Sequence, residues 1–243
     1  MHIVLVGAHP DDESSASGTI AKHVDRGHKA TIVVATRGGR GHWDIEPEEL
    51  MRIRSEEMRR AADILGADVL FMNYPDAYIP GGDKLREELV DVVRRLKPDV
   101  LLTFHPLVWR DDHRRVGLAS SDACLKASLP LHVTGYPAHR PAPEVYFFGK
   151  PMTPIHPDVY VDVTDYMDVK VEAFRQHVSQ WQRWGAPPEE QEGYLDELTQ
   201  RYVERFRQLG REAGVGCAEA FISKSGRSYA HDLIPTSRRS QTI

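Results

Sequence analysis

Strand-like and helix-like stretches alternate over roughly the first 125 residues, and this alternation constrains the fold more than any other feature of the chain. His2–Gly7, Ala30–Thr36, Asp68–Tyr74 and Asp99–His105 are short, apolar and rich in β-branched residues, the pattern of buried strands. Between them, Ser17–His28 carries Ile20, Ala21 and Val24 on one face and stops at Gly27, with Ser17 as the cap candidate. Pro47–Gly66 has a proline in its first turn and a glycine at its end, and Lys84–Leu96 gives a third helix. The order βαβαβαβ predicts an α/β fold: a mostly parallel sheet with helices on both faces.

The rest of the chain is less regular. Ser128–Pro143 reads as a long loop, Glu144–Gly149 and Val159–Val163 as strands, and Asp165–Trp184 and Tyr194–Leu209 as helices. Gly216–Ile222 closes the fold, and the tail beyond Asp232 is expected to be loosely held. The expectation is one domain over 1–243, with a core at 1–127 and a C-terminal helical and β extension at 128–243.

Composition removes several function classes. With a net charge of −5, no basic face for nucleic acid is expected, and Arg52, Arg54, Arg59 and Arg60 are interleaved with glutamates on one helix. No apolar stretch approaches the ~20 residues of a membrane span, and the first hydrophobic run meets carboxylates where a signal peptide would carry a cleavage site. Two distant cysteines, Cys124 and Cys217, make no disulfide framework and fit a cytoplasmic protein. A G-x-G-x-x-G fingerprint is absent after the first strand, which disfavours a nucleotide-binding module.

Chemistry gathers where the first strand ends, at Ala8-His9-Pro10-Asp11-Asp12-Glu13. An imidazole and three carboxylates beside a buried strand are costly to hold unless a cation or one another compensates them. The crevice beyond the carboxyl ends of parallel strands is where such sheets bind ligands. His9 and Asp12 suit zinc, with iron or manganese as other possibilities, and a catalytic zinc site takes three protein ligands and one open position. The third ligand is expected from the loop after another parallel strand: His113 as first choice, His105 as the fallback. Neighbours in an extended loop point different ways, so Asp11 and Asp12 need not both bind metal: one can coordinate while the other accepts a proton from water. The reaction this set suits is hydrolysis of an amide or ester carbonyl.

The same residues resemble the A-H-P-D-D-E signature of the PIG-L/LmbE-like zinc-dependent N-acetylglucosaminyl deacetylases. Thr36–Gly41 is similar to that family's T-x-G-x-x-G loop, with Gly39 where an acidic residue is frequent. Arg54, Glu57, Ala61, Leu65 and Gly66 resemble its R-x-x-E…A…L-G helix, and Tyr74-Pro75-Asp76 its Y-P-D. Asp162, Lys170, Ala173 and His177–Gln180 resemble its D…K…A…H-x-S-Q segment, and Ala218–Phe221 its A-E-A-F. The resemblance implies a Rossmann-like fold, zinc on His9, Asp12 and His113, Asp11 as general base, and a homo-oligomer. The substrate it implies is a small amino-sugar conjugate, a low-molecular-weight thiol precursor among the possibilities. One departure stands out: Arg110-Asp111-Asp112-His113 carries Arg110 where the family commonly has a histidine. Arg110 is a permanent cation able to steady an oxyanion but not to deliver a proton, and otherwise a histidine from the 128–142 loop takes that place. Asp112 is expected to orient its neighbours.

Candidate substrate contacts are Arg37, Arg54, Asp76 and His177, with Arg40 a further group for a sugar hydroxyl or an anionic substituent. Each has a bland counterpart. Arg54 and Glu57 have the spacing of an exposed helix ion pair, and His177 with Gln180 that of a buried structural pair. Trp43, Trp109, Trp181 and Trp184 are read as core or interface before sugar platforms. The rival functions are an amidase on thiol conjugates or other acyl amides, and a metal-binding homologue impaired in catalysis.

Overall fold

The computed structural model describes residues 1–182, 187–226 and 230–231. Strands β1 (His2–Gly7), β2 (Lys29–Thr36), β3 (Asp68–Tyr74), β4 (Val100–Phe104) and β5 (Glu144–Phe148) pair in parallel. With β6 (Val159–Asp162), β7 (Ala218–Ser223) and β8 (Ala230–His231) they form one sheet in the order β3-β2-β1-β4-β5-β7-β6-β8. β7 runs antiparallel to both β5 and β6. The C-terminal part is therefore no appendage: its strands extend the sheet begun by the first half.

Period-two alternation sends the strand side chains into two cores. Ile3 and Leu5 pack with α1 (Ser17–Asp25), α2 (Pro47–Leu65), α5 (Met167–Phe174) and α7 (Pro188–Ala213). Val4 and Val6 pack on the other face with α3 (Asp83–Leu96) and α4 (Asp111–Ala127). Because both faces are covered, the strands must be apolar throughout, which is why they read as continuous hydrophobic runs.

Two local expectations are corrected. Ser17 does not cap α1; Ala16 stands at the cap, and the free amides of Gly18 and Thr19 donate instead to Glu219 on β7, at 2.9 and 2.8 Å. The helix expected over Asp165–Trp184 is broken into a 3-10 turn (Thr164–Tyr166), α5 and the short α6 (Val178–Trp181), and Trp184 lies outside the described residues. The break has a tertiary cause. His177 turns inward to Glu13, and the Ser179 amide and hydroxyl both donate to Glu57 at 2.8 and 2.7 Å. Apolar spacing alone cannot register acceptors contributed by distant elements.

The chain builds β1, β2 and β3 to one side and then crosses to place β4 on the other side of β1. Loops leaving β1 and β4 thus part from each other at their carboxyl ends and open a crevice. α4 closes tightly on β4: a Cβ at Gly117 would stand 2.1 Å from the Phe104 carbonyl oxygen. Gly117→Ala is expected to lower stability by about 1–3 kcal/mol in urea unfolding, since backbone and not a pliable side chain is in the way. An unchanged midpoint would show that α4 moves outward at no cost.

Candidate metal centre and catalytic cleft

β1 delivers a histidine and two aspartates to the crevice. Gly7 is needed for the turn that follows, because a Cβ there would lie 2.9 Å from Asp12 Cβ. Asp12 folds back so that its Oδ2 accepts the amides of Ala8 and His9, at 2.7 and 2.8 Å. From the other side, α4 brings His113 in its first turn, stacked on Phe104 with ring centroids 3.8 Å apart. His9 Nδ1 and His113 Nε2 are 3.2 Å apart, and His113 Nε2 lies 3.3 Å from Asp12 Oδ1. One ligand atom from each of the three residues lies within 4.8 Å of the others.

These residues fit a tetrahedral cation. Bonds of about 2.0–2.1 Å imply ligand–ligand edges of roughly 3.3 Å. The outward nitrogen of His9 is fixed as well: Nε2 lies 3.1 Å from Asp76 Oδ1 and 3.3 Å from Asp112 Oδ2. A carboxylate on the far nitrogen sets the tautomer and turns Nδ1 toward a metal. Asp76 and Asp112 are themselves braced by the Arg40 and Ala77 amides, at 2.8 and 2.9 Å. Burial works against a charged His9, but the bonds to Asp112 and Asp76 and the charge of Asp12 push its pKa up to about 10. Burial, followed by the charges of His9 and Arg110, drives His113 down to about 3. Asp76 is lowered to about 2, its burial outweighed by His9. A protonated His9 carries hydrogen on both ring nitrogens, so its Nδ1 would have to release a proton for a cation to be held there.

Asp11 stands beside this trio without joining it. Its backbone is in left-handed space at φ 118° and its amide donates to Glu13 Oε2 at 3.1 Å. Its carboxylate lies 3.3 Å from the Arg54 guanidinium and is 21% exposed, whereas Arg54 is 3% exposed. Burial lifts Asp11 above the usual carboxylate range, with the Arg54 charge opposing it. Arg54 is positioned by the glycine-rich loop: its Nη1 donates to Gly38 O and its Nη2 to Pro10 O. A Cβ at Gly38, where φ is +67°, would come within 2.3 Å of that guanidinium.

A cleft of about 640 Å³ opens over these groups, lined by His9, Asp11, Asp12, Arg54, Asp76, Asp112 and His113, with Arg110 also in its wall. Two of the expected substrate contacts lie elsewhere. Arg37 is not part of this lining; it donates to Asn73 Oδ1 at 2.6 Å and to Ser55 Oγ at 2.9 Å, with its guanidinium over Phe71. His177 is fully buried behind the loop, its Nε2 2.6 Å from Glu13 Oε1. Burial disfavours charge on both, but the pairing wins: Glu13 is held below its ordinary pKa and His177 above its own. His105 takes no part in the ligand cluster and accepts the Leu107 amide at 3.1 Å. Trp43 and Trp109, read as core or interface, are 81% and 80% exposed, while Trp181 lines the cleft. Arg205 also lines it and was not anticipated, since no local motif marks it on α7.

At the switch point of this open α/β sheet lies a His/Asp/His group that could hold a metal ion, with the Arg54-paired Asp11 carboxylate beside it. Residues 4–124 match the family described as PIG-L: GlcNAc-PI de-N-acetylase, and the chain belongs to this family. It is 30% identical over 200 residues to a diacetylchitobiose deacetylase of Thermococcus kodakarensis, covering 75% of this chain and 73% of that one. A 4-oxalmesaconate hydratase of Pseudomonas putida is 29% identical over 222 residues, 85% of this chain and 82% of that one. Among solved structures, the N,N'-diacetylchitobiose deacetylase of Pyrococcus horikoshii superposes with a TM-score of 0.79 at 26% identity, covering 93% of this chain and 84% of that one.

Proposed function

We propose that the chain is a zinc-dependent hydrolase that removes the N-acetyl group from a small N-acetylglucosamine conjugate. One observation carries the reading: two imidazole nitrogens and a carboxylate meet at near-tetrahedral spacing, with the unligated Asp11 carboxylate in the same cleft. His9, Asp12 and His113 would hold the ion. Zinc bound there supplies a Lewis acid for the amide carbonyl and lowers the pKa of water to about 7.

The protein groups divide the remaining work. Asp11, kept in place by Arg54 and by the hydrogen bond its backbone N–H donates to Glu13 Oε2, takes the proton of the attacking water. Asp76 and Asp112 hold His9 in its ligating tautomer, a positioning role for both. Arg110, exposed in the cleft wall and without a carboxylate partner among the described residues, supplies positive charge to the developing oxyanion. Arg110→Ala is therefore expected to lower kcat by about 10²–10³. Unchanged turnover with an unchanged pH profile would remove Arg110 from this role.

The deciding experiment is metal analysis of the wild-type protein together with a panel of acylated amino sugars and acyl amides. One zinc per chain and amine release from N-acetylglucosamine conjugates are expected. Preference for non-sugar amides would mark an amidase, and metal without hydrolysis an impaired homologue. A second reading, a hydratase, is favoured by the Pseudomonas putida relative; water addition without amine release would establish it.

No helix among the described residues is long and apolar enough to cross a membrane. The free, buried Cys124 and Cys217 support a cytoplasmic location. Leu118, Leu125, Leu129, Leu131 and Val133 are exposed along and beyond α4, which supports the homo-oligomer.

A further inference from the structure

The loop that follows α4 is fixed more firmly than its exposure explains. Arg94, buried in the last turn of α3, donates to the carbonyls of Ala127, Leu129 and Tyr136 at 3.1, 2.9 and 3.0 Å, and to Thr134 Oγ1 at 3.0 Å. Glu87, on the same helix, pairs with Lys126 and His132. Yet the tip that this clamp presents is apolar and almost wholly in water: Leu131 is 95% exposed and Val133 89%. Ordering a loop costs conformational entropy, and here the order shelters neither side chain. An apolar tip held still in solvent marks a contact surface.

A hollow of matching character lies on the same face. β3 is the terminal strand of the sheet, so no further strand covers Leu70 and Met72 on its outer side. With Val92 and Tyr136 they line a hollow of about 310 Å³ between β3 and α3. Glu88, Asp91 and Arg95 complete its walls, and Asp91 Oδ1 is buried there with no hydrogen-bond donor among the described residues. The loop has the complementary sign: residues 123–143 contain no carboxylate, while Lys126, His132, His139 and Arg140 are basic. Tyr136 belongs to both the clamped loop and the wall of the hollow, so tip and hollow are neighbours. Leu131, being exposed, does not fill the hollow of its own chain.

We infer that two copies of this chain associate about a twofold axis, each seating Leu131 and Val133 in the hollow between β3 and α3 of the other. A projecting tip and a receiving hollow side by side are what an isologous contact needs, since each copy offers both. The inference rests on the homo-oligomer reading and gives it a contact surface. It does not depend on the reaction in the cleft.

Molar mass by light scattering, over a dilution series, tests it. The wild type is expected as a dimer or a multiple of two chains. Leu131→Asp sets a carboxylate against the acidic side of the hollow, and Glu88→Arg turns that side against the basic loop. Each is expected to raise the dissociation constant of the pair by about tenfold or more. Both positions are exposed, so circular dichroism should show the fold unchanged. Mixed in equal amounts, the two variants are expected to regain the wild-type mass. In a mixed pair the new carboxylate meets the new guanidinium, and the other tip meets an unaltered hollow. A monomeric wild type overturns the inference and the homo-oligomer with it. A wild-type assembly that either variant leaves intact overturns the inference alone, as does a mixture that fails to recover.

Discussion

Asp11→Asn is expected to leave the metal content unchanged and to lower kcat by about 10²–10⁴, the usual worth of a positioned general base. Asparagine is the informative replacement for a conformational reason. Residue 11 sits at φ 118°, and asparagine tolerates positive φ as aspartate does, whereas alanine would add backbone strain to lost chemistry. The neighbouring cation should survive the change, because Arg54 also donates to the carbonyls of Gly38 and Pro10. Zinc content by elemental analysis and turnover on the same preparation separate the alternatives. If metal and activity disappear together, Asp11 belongs among the ligands and the division between Asp11 and Asp12 is wrong.

Lys170→Met is expected to cost about 3–5 kcal/mol, as removal of one partner from a buried ion pair does. Lys170 is fully buried, and its three N–H groups meet three acceptors: Ser14 O and Glu219 Oε1, both at 2.6 Å, and Ser17 Oγ at 3.2 Å. Methionine fills similar space but leaves Glu219 charged in the interior. Thermal denaturation should show a drop of roughly 10 °C for a chain of this size. The double variant Lys170→Met/Glu219→Gln should recover part of that loss, since no lone charge remains. A single-variant loss below about 1 kcal/mol would mean that Glu219 finds water or is neutral in the fold.

Much of this architecture was legible because it rests on local rules. Strand runs apolar on both faces, a proline opening α2 and a glycine closing it, and a crossover that places β4 beside β1 all leave marks in the chain. The convergence of His9, Asp12 and His113 was legible for the same reason: two of them follow one strand, and His113 follows the parallel strand next to it. What stayed hidden was long-range. Glu219 caps α1 from some 200 residues away, and Glu57 meets Ser179 across 122 positions. Asp76, a candidate substrate contact, lines the cleft and also meets His9, a contact that depends on where His9 arrives. Arg37 and His177 carried plausible polar tips, but their partners Asn73, Ser55 and Glu13 lie on surfaces that only folding brings together.

Behind the loop that carries Asp11, the Ser14 carbonyl receives both Lys170 Nζ and the Tyr202 hydroxyl, and Glu13 receives His177. All three donors come from beyond the stretch that matches the family, which ends at residue 124. The three proposed metal ligands are therefore supplied by one half of the polypeptide, and the bracing of the loop that bears two of them by the other. Substitutions at Lys170, His177 or Tyr202 can therefore loosen the loop after β1 without altering any residue in the cleft.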